Sequence, residues 1–341
     1  MDVSLLAKLL EDNNQPKFRL EQVKKAIFQD GVFSFENITT ISKELREKLK
    51  ENLDILSFFP DKTLVSKDKR SIKALLKLKD GNLIETVFIS PKPNIWSACI
   101  SSQVGCPLGC GFCATGKGGF KRNLTAEEIT DQILYWKQYM KKKGLAGVFS
   151  NIVYMGMGEP FLNWEEVSKS LRNLTDPDLF GFSSRSISVS TAGIPEGIEK
   201  LAMKFPQINL AVSLHFSADE KRDKFMPINK KHNLEKLKNS LRSYFTHCNR
   251  KVFLEYILLE NVNDSLEDAQ DLIKYLKSIG NFHLLHVNLI RYNSTSDKLK
   301  PSSSSVAREF KNYLLRNGVN VTIRKSLGED IQGACGQLAG R

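Results

Sequence analysis

From about residue 95 onward, apolar runs of strand length alternate with longer stretches of helical periodicity, and this alternation limits the possible folds more than any other feature. Strand candidates at 97–102, 151–156, 186–191, 208–214, 252–259 and 285–291 are followed by helical patterns, clearest at 125–143, 163–174, 233–246, 265–278 and 303–317. Strand–helix–strand succession makes neighbouring strands parallel and covers the sheet with helices. It predicts an α/β chain whose six β/α units form a partial (β/α)6 barrel, with a seventh strand at 320–325 leading into a glycine-rich tail. In such a barrel the chemistry gathers at the carboxyl ends of the strands, so the residues there form one constellation.

Two smaller units precede the barrel. Residues 1–55 carry helical spacing in Leu5, Leu6, Leu9 and Leu10, then Ile41, Leu45 and Leu49, with breaks at Pro16 and Gly31. Residues 56–92 read as a β-hairpin extension, with Asp80-Gly81 turning between Ala74-Leu75-Leu76 and Ile84-Glu85-Thr86-Val87-Phe88. Glu85 falls on the second strand, where a solvent-facing side chain is the simplest reading. The expected domains are therefore 1–55, 56–92 and 93–341. The 341 residues, 41% hydrophobic, suffice for one large core and a smaller one. No run is apolar enough to cross a bilayer, and Lys8, Glu11 and Asp12 among the first leucines do not resemble a signal peptide. A cytoplasmic chain with no membrane partner is expected. Six cysteines in a reducing compartment point to metal or redox use rather than a disulfide framework.

The formal net charge is +12, yet residues 1–55 hold nine basic and ten acidic groups. The positive excess thus belongs to the hairpin and barrel. Single clusters such as Lys141 to Lys143 commonly do no more than solvate a helix face, but the total favours a polyanion that reaches the barrel.

Cys106-Pro-Leu-Gly-Cys110-Gly-Phe-Cys113 follows the first barrel strand. Three close thiolates are one ligand short of a closed site, which suits a metal centre with an open position for chemistry. A structural zinc with Cys99 as fourth ligand, or unrelated buried thiols, also fit the spacing. Glycines 105, 109, 111, 116, 118 and 119 favour a loop wrapped around something bulkier than one ion. At the other strand ends lie Gly156-Met157-Gly158-Glu159-Pro160, Ser190-Thr191, Ser213-Leu214-His215 and Asn293. A Gly-x-Gly-Glu turn can offer carbonyls and a carboxylate to an ammonium group, and Ser190, Ser213 and Asn293 can hydrogen-bond hydroxyls or carboxylates. Each has an ordinary structural reading as well, and only their shared placement lifts them.

Cys106-x-x-x-Cys110-x-x-Cys113 resembles the signature of radical S-adenosylmethionine (SAM) enzymes. Ser101 to Cys106 and Phe112 to Gly116 resemble the RlmN/Cfr family of RNA adenine methyltransferases, as do Arg122-Asn123-Leu124-Thr125, Met226-Pro227-Ile228-Asn229, Val262-Asn263-Asp264-Ser265 and Ala334-Cys335-Gly336-Gln337-Leu338. The resemblance implies that Cys106, Cys110 and Cys113 hold a [4Fe-4S] cluster whose unique iron SAM chelates. Gly158, Glu159, Ser190, Ser213, Leu214, His215 and Asn293 would form the SAM site. Cys335 would carry the methyl group, Cys99 would be its redox and proton-transfer partner, and Glu85 an acid/base carboxylate. Cys248 has no counterpart and reads as structural.

The implied substrates are adenines of 23S rRNA, in the peptidyl-transferase loop, and of the anticodon loop of some tRNAs. A reducing electron donor such as flavodoxin or ferredoxin is implied, and a monomer is expected. Carbon 2 of adenine lies between two ring nitrogens and is a poor nucleophile, so direct polar methyl transfer from SAM fails there. A methylated Cys335 and a radical step are the implied solution. Gly158-Glu159-Pro160 favours the carbon-2 branch, whereas Arg291-Tyr292-Asn293 looks more like the carbon-8, antibiotic-resistance branch. An RNA-binding protein with a structural zinc is the rival of another class.

Overall fold

The computed structural model describes residues 1–340 except Ser296. Three helices open the chain: α1 (Val3–Asp12), α2 (Phe18–Lys24) and α3 (Lys43–Asn52). Asp2 starts α1 by accepting from the amides of Ser4 and Leu5, and Ser42 starts α3 by accepting from Leu45. Leu6, Leu10, Leu45 and Leu49 are buried in the core, as their helical spacing requires.

Strands β1 (Phe58–Val65), β2 (Ser71–Leu78) and β3 (Leu83–Lys92) are antiparallel, and β3 pairs with β4 (Ile95–Cys99). The hairpin turns at Asp80-Gly81, where Gly81 has φ +83°. Strand β1 buries only Phe58 fully and contains Pro60, so it shows no alternation that a sequence pattern could reveal; it survives as an edge strand.

The chain continues through β5 (Gln103–Gly105), α4 (Ala114–Lys117), β6 (Phe120–Asn123), α5 (Ala126–Lys143), β7 (Val148–Tyr154) and α6 (Trp164–Thr175). Then come β8 (Ile187–Thr191), α7 (Pro195–Lys204), β9 (Asn209–Ser213), α8 (Asp219–Phe225) and α9 (Leu234–His247). Strand β10 (Val252–Leu258), α10 (Leu266–Ile279), β11 (Leu285–Arg291), α11 (Ser304–Arg316) and β12 (Asn320–Arg324) complete it. One ten-stranded sheet runs β1-β2-β3-β4-β7-β8-β9-β10-β11-β12, parallel from β4 onward, while β5 and β6 form a separate two-stranded hairpin. The parallel strands β4, β7, β8, β9, β10 and β11 are the six expected from the alternation for a partial barrel. The seventh, β12, extends the sheet beyond β11. Helices α7 and α8 escaped the periodicity because they are short, although Pro195 at the first turn of α7 is a start signal.

Helix α5 holds the units together. Thr125 and Glu128 form a capping box at its start, and Gly144 ends it in a left-handed conformation after three lysines. Its Trp136 is fully buried, stacks on Phe88 of β3 at 5.1 Å, and donates to Thr86 Oγ1 at 3.0 Å. On its other side Lys137 and Gln138 donate to the carbonyls of Phe28 and Val32, and Asp131 pairs with the Met1 ammonium while accepting from the Ser57 amide. Among the described residues no helix is long and apolar enough to cross a membrane.

The small hairpin launches the cysteine loop and depends on Gly105, whose φ is +75° and whose added Cβ would lie 1.9 Å from the Gly119 carbonyl oxygen. Gly109 has a similar φ of +64° with open space around it. Gly105→Ala is expected to cost on the order of 3 kcal/mol and Gly109→Ala about 1 kcal/mol. Denaturant titrations of both variants, read by tryptophan fluorescence, check the ranking; equal costs would contradict it.

Candidate active site

The segment between β4 and β5 is irregular, buried backbone, and side chains satisfy it. Ser101 Oγ donates to the Glu85 carbonyl at 2.6 Å and accepts from the Met157 amide at 2.8 Å. Gln132 pairs with the Ser101 backbone on both sides, and Asn163 donates to the Ser102 and Leu124 carbonyls. The turn after β7 lies directly against this segment. Ser102 and Gln103 donate their amides to the Met157 carbonyl, and Gln103 Oε1 accepts from the Glu159 amide at 2.8 Å. A Cβ on Gly156 would meet Ile100 backbone at 2.6 Å and one on Gly158 would meet Gln103 at 2.5 Å, so both glycines are sterically required.

The cysteine loop is pinned at four points. The Cys106 amide donates to Gly119, Gly111 to the Phe225 carbonyl, and Ala114 to the Gly336 carbonyl at 2.7 Å, while Thr115 Oγ1 donates to the Leu338 carbonyl. Cys106, Cys110 and Cys113 line one cavity together with Gly156, Gly158, Glu159, Ser190, Thr191, Ser213 and His215. Burial pushes the Cys106 thiol up to about 12 and raises Cys110 as well, where the Arg222 charge acts in the opposite direction. A positive guest that ligates the sulfurs removes this penalty.

Glu159 is buried, and its carboxylate accepts from the amides of Ala192 at 2.7 Å and Phe161 at 3.1 Å. It therefore braces the β7 turn against the end of β8. Burial outweighs these bonds and raises its pKa to about 7. His215 has φ +57°, a conformation costly for a non-glycine residue and frequent at ligand sites. Its Nδ1 accepts from the Ile257 amide at 3.2 Å, which leaves the proton on Nε2; burial, then Arg222, hold the ring neutral with a pKa of about 3. Ser190 and Ser213 line the cavity, whereas Leu214 lines neither cavity: its side chain is fully buried in the main core and its carbonyl accepts from Arg222.

A second cavity adjoins the first. It is lined by Cys99 at the end of β4, Val87 and Ile89 of β3, Asn293 after β11, and the tail around Cys335; Met155, Ile290, Arg324 and Cys335 line both cavities. Asn293 Nδ2 donates to the Cys335 carbonyl at 3.1 Å, and its buried Oδ1 has no partner among the described residues. Arg324 pairs with the buried Glu255 at 3.2 Å, and Asn288 donates to the other Glu255 oxygen. Burial raises the thiols of Cys99 and Cys335, against which the Arg324 charge acts. Glu85 lines neither cavity. It is buried, pairs with Lys73 at 2.7 Å, and accepts from the amides of Ala339 and Gly340 at 2.7 and 3.1 Å, while Lys73 donates to the Gln332 carbonyl at 3.2 Å. The hairpin thus grips the tail on both sides of Cys335. Cys248 is buried in the main core, away from both cavities.

Comparison with known proteins accords with this geometry. Residues 1–55 match the family described as "Ribosomal RNA large subunit methyltransferase N-terminal domain", and residues 100–276 match the "Radical SAM superfamily". "Ribosomal RNA large subunit methyltransferase Cfr" of Clostridium botulinum (strain Okra / Type B1) is 44% identical over 328 residues, covering 95% of this chain and 92% of that protein. "Probable dual-specificity RNA methyltransferase RlmN" of Carboxydothermus hydrogenoformans is 42% identical over 330 residues, covering 96% and 94%. The crystal structure of a radical SAM methyltransferase from Sphaerobacter thermophilus superposes with a TM-score of 0.93 at 34% identity, covering 100% of this chain and 98% of that one. The chain belongs to the RlmN/Cfr family of radical SAM rRNA methyltransferases.

Enzymes of the RlmN/Cfr family use a [4Fe-4S] cluster and SAM, and the cavity suits both. Its three sulfurs are soft donors for iron. Asn293 lines the adjoining cavity instead, where its orphaned Oδ1 can accept from a hydroxyl or ammonium.

Arg324, Glu255 and Lys73 were not singled out by sequence. Arg324 ends a strand, so the strand-end rule that found Ser190 and Ser213 would have reached it; Glu255 stands out as a carboxylate within the apolar run Val252–Leu258. Lys73 carries no comparable mark.

Two outcomes follow from this site. Because the Glu159 pKa is raised from 4.5 to about 7, the unfolded chain ionises there first, and folded stability falls as pH rises across that interval. Glu159→Gln should flatten the pH dependence of denaturant-derived stability over that range in the metal-free protein. Lys73→Met leaves Glu85 buried without its cation, at a cost of about 3 kcal/mol, and loosens the tail. Native-state alkylation followed by peptide mass spectrometry should show Cys335 reacting several-fold faster while buried Cys248 is unchanged.

Proposed function

We propose that this chain methylates carbon 2 of an adenine in the peptidyl-transferase loop of 23S rRNA, and of an anticodon-loop adenine in some tRNAs, by way of a methyl group carried on Cys335. The observation that carries the reading is the position of Cys335, which lines both the cysteine-loop cavity and the cavity that contains Cys99. When bound, the cluster and SAM supply the methyl group and a hydrogen-abstracting organic radical.

The protein's own contributions follow from its chemistry. Cys106, Cys110 and Cys113 ligate the cluster, and Gly158, Glu159, Ser190, Ser213, the backbone at Leu214, His215 and Asn293 surround SAM. Glu159 fixes the turn rather than meeting an ammonium group directly, since both its oxygens accept backbone amides. Cys335 gives up its proton to accept the methyl group, and Arg324 offsets the burial that opposes its thiolate. Asn293, holding the Cys335 carbonyl, keeps the sulfur turned toward the shared wall.

An adenine must leave its stack to enter the second cavity, at a cost of a few kcal/mol that is smallest in loops. Val87, Ile89 and Pro91 offer it an apolar wall. Burial keeps Cys99 protonated at neutral pH, so its Sγ can return a proton to a base or, once ionised, attack Cys335 sulfur. As the Cys99–Cys335 disulfide forms, the bond from Cys335 sulfur to the transferred carbon breaks, that carbon takes up a proton to become the methyl group, and the surplus electron of the radical adduct would return to the cluster; a dithiol reductant resets the pair. Glu85 acts on this chemistry through the tail it holds, with proton transfer open to it only when the tail moves.

Carbon 8 is the rival position. Arg291-Tyr292-Asn293 and the 44% identity to a Cfr protein favour it, while Gly158-Glu159-Pro160 and the 42% identity to an RlmN protein favour carbon 2. An electron donor such as flavodoxin or ferredoxin, and a monomeric state, belong to the same proposal. Mass spectrometry of 23S rRNA and tRNA from cells lacking their own family enzymes and expressing this chain should show 2-methyladenosine; 8-methyladenosine alone would move the assignment to the other branch. Cys335→Ala should abolish methylation while reductive SAM cleavage persists, and Cys99→Ala should accumulate RNA covalently joined to protein.

A further inference from the structure

The most deeply buried cation in the fold has no part in the chemistry described so far. Arg222 on α8 is fully buried, and its guanidinium donates to four oxygens, none of them a carboxylate: the carbonyls of Leu214 at 3.2 Å, Ala192 at 2.6 Å and Ser213 at 3.3 Å, and Asn229 Oδ1 at 2.7 Å. Asp219 and Asp223 make no direct hydrogen bond to it; the Asn229 amide donates to both, and their charges act on the guanidinium across that gap and offset part of its burial. Taking a guanidinium out of water costs several kcal/mol, and neutral carbonyls recover only part of that. A negative charge nearby would balance it.

The cysteine cavity is where that charge would sit. Ala192 and Ser213 end the strands that line the cavity, Met226 lines it immediately after α8, and the Phe225 carbonyl accepts from Gly111 inside the cysteine loop. The Arg222 charge also acts on the Cys110 thiol in the direction that favours the thiolate. A four-iron cluster held by three thiolates is a net anion, and taking up one electron makes it more so, with no bond or proton changed.

We infer that Arg222 is a positioning residue that also acts through its charge. It ties the ends of β8 and β9 together and, as a buried cation, stabilises the reduced cluster so that a one-electron donor protein can reduce it. Reduction at a site screened from water is hard because the added charge is poorly solvated, and a fixed cation beside it supplies what solvent cannot. The carboxylates of Asp219 and Asp223, held at one remove, set how much of that charge is felt.

Opposite charge changes should therefore move the cluster in opposite directions. The test is an anaerobic reductive titration of the reconstituted full-length protein without SAM, with titanium(III) citrate as donor and electron paramagnetic resonance as readout. Arg222→Gln should give a several-fold lower ratio of reduced to oxidised cluster than wild type at the same poise, and Arg222→Lys, which keeps the charge, should stay near wild type. Asp223→Asn, which preserves the hydrogen bond from Asn229, should raise the ratio. If Arg222→Gln fails to fold or to bind iron, Asp223→Asn decides alone. An unchanged ratio in Asp223→Asn, or equal ratios in Arg222→Gln and wild type, would overturn the inference. A wild-type protein with no reducible signal would instead indict the cluster assignment itself.

Discussion

Everything at the carboxyl face of this barrel hangs from the buried, non-repeating backbone at Ile100 to Gln103. Ile100 still donates to Val153 of β7 and Gln103 already pairs with β6, but much of the backbone between them has no neighbouring strand. Each group left unpaired away from water would cost roughly as much as a hydrogen bond is worth. Ser101, Gln132, Asn163 and Gln103 provide the missing partners, drawing β3, α5, α6 and the turn after β7 onto one short segment. The two glycines of that turn are what allow the approach. The cysteine loop leaves from one end of this junction and the Glu159 brace meets the other, so site residues well separated in sequence share one foundation.

The parts of the fold that obey a simple period were legible in the sequence. Parallel strands buried on both faces read as apolar runs, and helices α5, α6, α9, α10 and α11 lie within a residue or two of their patterns. Strand β1 was missed because an exposed edge strand has no buried alternation to show. In the site, residue types with unusual chemistry announced themselves: the three cysteines by spacing, Gly158 and Glu159 by following a strand, and Cys335 and Cys99 only through family resemblance. Arg222, in the polar helix Asp219–Phe225, looks like any solvated arginine. Its burial is created by tertiary contacts with two strand ends, and no local pattern encodes those.

Glu85 shows the same limit from the other side. On a strand it reads as solvent-facing, yet it is buried because the tail, more than 240 residues away in sequence, folds back over it. A carboxylate in that position is held by three partners at once, the Lys73 ammonium and two backbone amides. It can exchange a proton with substrate only if some of these contacts open. The tail is thus both the carrier of Cys335 and the cover over Glu85, which couples any motion of the thiol to the availability of the carboxylate.

Cys335 lies where the two cavities meet, with Cys99 in the second and the cysteine loop in the first. Burial disfavours a thiolate at Cys99 and at Cys335, and Arg324 is the cation that partly reverses this at both. The free Cys335 is therefore held as the neutral thiol, and only its ionisation meets the desolvation penalty. Forming a thiolate at Cys335 relies on the Arg324 charge, which Glu255, the ion-pair partner of Arg324, opposes. Under the function proposed above, a methyl group on Cys335 would abolish the negative charge there, and Arg324 would be left with Glu255 and Cys99 as the groups its charge acts on.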